Sequence, residues 1–82
     1  MRATQAELRQ LMADVFGIDP EKIDDEASID TIEEWDSHRH LNLVLALEER
    51  FGVSLTEQES VEILNMELIR AVLLEHGVEL NG

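Results

Sequence analysis

Apolar residues in this chain recur at the spacing of a helix, and no sustained stretch alternates apolar with polar residues as a half-buried strand would. Leu8, Leu11, Met12, Val15 and Phe16 stand at i, i+3, i+4, i+7 and i+8, which draws one apolar stripe down a helix. Thr4 followed by Glu7 supplies a capping box to open it, and Gly17 stands where a left-handed C-cap belongs. Asp19-Pro20 begins a short turn, one helical turn closed by Ile23. A second stripe, His40, Leu43, Val44, Leu47 and Phe51, is flanked by Leu41 and Leu45 and ends at Gly52. Asp36 or Ser37 can cap its start. Val53 and Leu55 read as inward anchors in the connection that follows. Thr56 with Glu59 forms another capping box and opens a short third helix reaching about Leu64. Asn65 caps a fourth helix, with Met66, Ile69, Val72, Leu73 and His76 on its stripe, Leu68 at the edge, and Gly77 as its stop. The expected architecture is all-α, a four-helix bundle with a short third helix and a long loop between helices 1 and 2.

A chain of 82 residues is expected to make a single domain over 1–82. It buries only roughly 60% of its unfolded surface, too little for a deep enclosed active site. It has no cysteine, so disulfides, thiolate metal sites and cysteine nucleophiles are excluded, and any thiol chemistry must come from an added group. The polar segment Met1 to Leu11 does not read as a signal peptide, and no run approaches a membrane span. The expected location is the cytoplasm.

Nineteen acidic residues face six basic ones, a formal net charge of −13. Nucleic acid and anionic membranes are excluded as partners by repulsion. A basic patch on another protein is the partner such a charge favours. The acid is densest in residues 24–36, where Asp24, Asp25, Glu26, Asp30, Glu33, Glu34 and Asp36 crowd a loop that Ile29, Ile32 and Trp35 are spaced to pin to the core. A buried Trp35 would need one hydrogen-bond partner for its indole. The loop fails the EF-hand pattern: counted from Asp24, position 6 is not glycine and Trp35 holds position 12. His38 and His40 lie two apart, where helical side chains do not face one another, so they read as capping or surface residues and no metal is expected. His76 is placed to meet a helix C-terminus.

Asp36-Ser37, then Leu43-Val44-Leu45-Ala46-Leu47-Glu48-Glu49 and Phe51-Gly52, with Ala27-Ser28-Ile29 in the loop before them, resembles the acyl carrier protein family over nearly the whole chain. The resemblance implies a non-catalytic carrier. It implies that Ser37, beside Asp36, holds 4′-phosphopantetheine from coenzyme A through a phosphodiester, and that acyl groups ride as thioesters on the arm's thiol. A phosphate there would sit at a helix N-terminus, where unpaired amides and the helix dipole favour an anion. A phosphopantetheinyl transferase, adenylating or acyltransferase loading enzymes and acyl-using enzymes are the implied partners of a monomer. His38, Arg39, Asn42, Leu45, Glu48 and Glu49 are the expected recognition residues.

Departures point to a specialised pathway: His38 follows the serine where an apolar residue is usual, Trp35 precedes the pair where glycine is common, and Arg39 and Asn42 replace usual acids. The same serine would serve an aminoacyl carrier. From another class, an unmodified helical interaction module uses the same bundle. A hydrolase does not fit, because no third group orients His38 or His40 as a base.

Overall fold

The computed structural model describes residues 2–81. Helix α1 (Gln5–Phe16) opens as the capping box requires: Glu7 N–H donates to the Thr4 hydroxyl at 3.1 Å, and Thr4 N–H donates to the Glu7 carboxylate at 3.4 Å. It closes at Gly17, whose φ of +70° is one that residues bearing a Cβ rarely adopt. A single 3₁₀ turn (Pro20–Lys22) follows, capped by Asp19 and ended by Ile23. Helix α2 (Ser37–Phe51) packs against α1. Helix α3 (Glu57–Glu62) has the second capping box, Thr56 with Glu59, and helix α4 (Met66–Glu75) is capped by Asn65. Among the described residues no helix is long and apolar enough to cross a membrane.

The interior is built from the expected stripes. Leu8, Met12 and Phe16 of α1, Leu43, Leu47 and Phe51 of α2, and Met66, Ile69 and Leu73 of α4 are all buried, with Ile63 between α3 and α4. Leu11 and Val15 are only partly buried at the margin. The acidic loop is anchored from both sides. Ala27, Ile32 and Trp35 are buried, and Trp35 packs against Phe16 in a tilted pair with ring centroids 5.0 Å apart. Its backbone is also tied down: Met66 N–H donates to Ala27 C=O at 2.8 Å and Ile29 N–H to Leu64 C=O at 2.9 Å. Ile29, Ile32 and Trp35 were the expected anchors of this loop, and of these Ile29 is only partly buried. The backbone pair between the loop and the α3–α4 connection adds an antiparallel bridge, Ser28 to Asn65.

The all-α expectation needs one correction. Strands β1 (Arg2–Thr4) and β2 (Glu79–Asn81) pair in parallel, with Ala3 opposite Leu80. Each is three residues long, too short to show alternation in sequence, and their pairing joins segments from opposite ends of the chain. Ala3 and Val78 are buried by it. The third helix also ends two residues before Leu64, at Glu62.

Candidate functional site

Everything around Ser37 follows from how α2 begins. Asp36 is the N-cap, in extended backbone conformation, and its Oδ1 accepts the Arg39 N–H at 2.8 Å. Ser37 is therefore the first helical residue and is released from capping. It is exposed, and among the described residues its hydroxyl has no hydrogen-bond partner. An accessible hydroxyl at the positive end of a helix fifteen residues long suits a group joined through phosphate. Among the described residues no base is hydrogen-bonded to it.

The Asp36 carboxyl is held below its usual range. The Arg39 backbone N–H is the chief cause, opposed by slight desolvation and helped by the charges of Arg39 and His38. The second oxygen, Oδ2, meets Arg39 Nη1 at 3.2 Å, and the same guanidinium nitrogen donates to Glu34 C=O at 3.4 Å. Arg39 thus folds back over the loop end that precedes Ser37.

The other expected recognition residues divide into groups. His38, Asn42 and Leu45 are exposed on α2, Leu45 at 55%, and Leu41 adds 60% exposure beside them. Glu48 is half-buried and turned to internal use: its Oε2 accepts the Leu55 N–H at 2.9 Å, fastening the segment after α2. Glu49 lies far from Ser37 along the helix. It lines an open groove of about 640 Å³ between α1 and α2, together with Leu11, Asp14, Val15, Ala46 and Arg50.

Two histidines do more than the sequence indicated. Trp35 donates from Nε1 to His40 Nδ1 at 3.0 Å, which supplies the partner a buried indole needs. His76 caps α4 through its backbone, but its imidazole leaves the helix end and meets both Glu59 oxygens, at 3.0 and 3.1 Å. Glu59, already serving the Thr56 capping box, has its carboxyl lowered first by the Thr56 backbone N–H and then by His76. Neither pairing joins neighbours on one helix face, so helical periodicity carries no trace of it. The one sequence clue was that a buried tryptophan five residues before a half-apolar histidine must find an acceptor.

With this geometry in view, comparison with known proteins is direct. A family model described as a phosphopantetheine attachment site matches residues 6–65. The acyl carrier protein of Thermosynechococcus vestitus is 36% identical over 56 residues, covering 68% of this chain and 69% of that protein. The matched stretch contains the loop, Asp36-Ser37 and all of α2 and α3. The chain belongs to the acyl carrier protein family, non-catalytic carriers that hold a covalently attached 4′-phosphopantetheine.

Proposed function

We propose that Ser37 is the attachment residue and that residues 1–82 form one carrier domain, its four helices acting as a bundle that presents the arm to successive enzymes. The observation that carries this reading is the division of labour at the head of α2: Asp36 caps the helix, and Ser37 is left exposed and unpartnered as its first residue. In the transfer the Ser37 oxygen loses its proton and forms the new bond to phosphorus, while the nucleotide part of coenzyme A leaves. Acyl groups then travel as thioesters on the arm's thiol, which suits a chain without cysteine.

The exposed face of α2 beside Ser37, with His38, Asn42, Leu41 and Leu45, is the surface we assign to partner enzymes. Arg39 gives this face its specialised character. Its guanidinium offsets the Asp36 carboxylate, so a basic enzyme surface meets less negative charge beside the arm than the composition suggests. We assign the chain a dedicated partner set in a specialised pathway, placed in the cytoplasm. Incubation with coenzyme A and a phosphopantetheinyl transferase, followed by intact mass measurement, tests the reading: one arm's mass should be gained. An unmodified interaction module would keep its mass. Offering the modified protein to adenylating enzymes for carboxylic acids and for amino acids then separates acyl from aminoacyl cargo.

A further inference from the structure

His40 stands where three parts of the chain meet. On one side its Nδ1 accepts the indole N–H of Trp35, which is 2% exposed and lies at the end of the acidic loop. On the other, its Nε2 lies 2.6 Å from the Ser60 C=O of α3. A carbonyl only accepts, so Nε2 carries the proton, and an indole N–H only donates, so Nδ1 carries none. The two contacts together fix the neutral imidazole in its Nε2–H form. The rings of Trp35 and His40 stack at 6.1 Å, and Trp35 leans in turn on Phe16 of α1. One side chain thereby connects α1, the loop, α2 and α3 within one helical turn of Ser37.

A second proton on this imidazole would go to Nδ1 and leave it with no acceptor. It would face the indole N–H donor to donor, and Trp35 would keep a buried N–H without a partner. Leaving a buried donor unpaired costs more than an ordinary hydrogen bond is worth. Of the charged groups on the loop, α2, α3 and α4, several are engaged elsewhere, and the carboxylates of Glu33, Glu34 and Glu57 are bonded neither to His40 nor to another side chain. Asp36 and the Glu34 carbonyl hold Arg39, while Glu59 of α3 and His76 of α4 hold each other. Among the described residues no acidic side chain is bonded to His40 to hold an imidazolium in place.

We propose that His40 is a positioning residue for the attachment site, a clamp that is closed only while its imidazole is neutral and that releases the loop preceding Ser37 on protonation. The clamp itself stands on geometry. Its bearing on arm transfer rests on the reading of Ser37 as the attachment residue, so the decisive test uses the unmodified protein. Trp35 is the chain's single tryptophan, and its emission reports the clamp directly. Emission is followed from about pH 8 to about pH 5, the span in which histidine changes charge. Wild type should show a one-proton transition. His40→Gln, whose amide can both accept and donate but does not titrate in this span, should keep the emission of the neutral state throughout. His38→Gln and His76→Gln should retain the transition.

In parallel, the unfolding equilibrium constant should rise by at least about fivefold more in wild type than in His40→Gln over the same span, since one ordinary hydrogen bond is the lower bound of what is lost. The direction follows from the geometry: a second proton breaks the Trp35–His40 bond of the folded protein and breaks no such bond in the unfolded one, so stability is lost as pH falls. Should His40→Gln fail to fold, the Trp35 indole N–H and the His40 ring resonances of wild type are followed together through the titration. Coincident midpoints support the clamp. An indole resonance that stays fixed while His40 titrates overturns it, as does an absent emission transition, or one that survives His40→Gln or disappears with His76→Gln. A chain that never gained the arm would still give each of these results, so the two readings fail separately.

Discussion

At the scale of single residues, Asp36 and Arg39 explain why the hydroxyl of a serine so near a helix start is left exposed and unengaged by the cap. The cap is taken by Asp36, and Asp36→Ala should lower the midpoint of a denaturant titration, whereas Asp36→Asn should retain most of the stability because asparagine caps as well. The Asp36 carboxyl is lowered in the folded protein from its ordinary 3.8, chiefly by the Arg39 backbone N–H. The folded state therefore binds this proton less readily than the unfolded one. The contribution of Asp36 is complete above the ordinary value and is lost as pH falls through the lowered one, so Asp36→Asn should flatten the acid limb of the stability curve. Arg39 makes a different prediction. Its pair with Asp36 is about half exposed, so Arg39→Ala should change stability by no more than about 1 kcal/mol. It should instead speed association with basic enzyme surfaces, an effect that shrinks with added salt. Stopped-flow association with an acyl-using enzyme at two salt concentrations measures this, and an unchanged rate would mean that Arg39 does not govern the approach.

At the scale of elements, the helices were legible because each carries its own boundary signals. The Thr4/Glu7 and Thr56/Glu59 capping boxes form as read, as do the Asn65 cap and the glycine stops at Gly17 and Gly52. Leu47, at 1% exposure, sits on the buried face that the stripe of α2 defines. Leu47→Ala should cost about 2–5 kcal/mol by urea titration; a loss below about 1 kcal/mol would mean that the site collapses around the deletion. What stayed hidden depends on partners distant in sequence. The β1–β2 pair joins two three-residue segments, and no local pattern announces a strand so short. The Ala27 and Ile29 backbone bonds to the α3–α4 connection involve atoms every residue has, so side-chain identity is silent about them. Glu48 read as a surface acid because its position on α2 is right for one; its bond to the Leu55 amide depends on the path of the following loop. The exposed Ser37 beside its Asp36 cap was legible for the opposite reason: Asp36, Ser37 and the α2 stripe are contiguous.

At the scale of the whole molecule, an acidic excess of 13 charges is only locally offset. Arg39, Arg50 and Arg70 pair with Asp36, Glu7 and Asp25, while Asp24, Glu26, Asp30 and Glu33 remain exposed on the loop. Self-repulsion of this kind is weakened by screening, so moderate salt should raise the melting temperature, and millimolar divalent cations should do so further by weak binding to the folded state. A melting temperature unmoved in both titrations would show that the loop charges are too far apart to repel. The same charge makes the molecule attractive to basic surfaces at long range. All of this serves one claim, that the arm is carried on Ser37. Fragment mass spectrometry of the modified protein tests it directly, because Ser28, Ser54 and Ser60 offer internal alternatives. The expected result is the arm on the fragment containing Ser37 alone, with Ser37→Ala folded and unmodified; an arm on any other serine, or on the Ser37→Ala protein, would contradict the account.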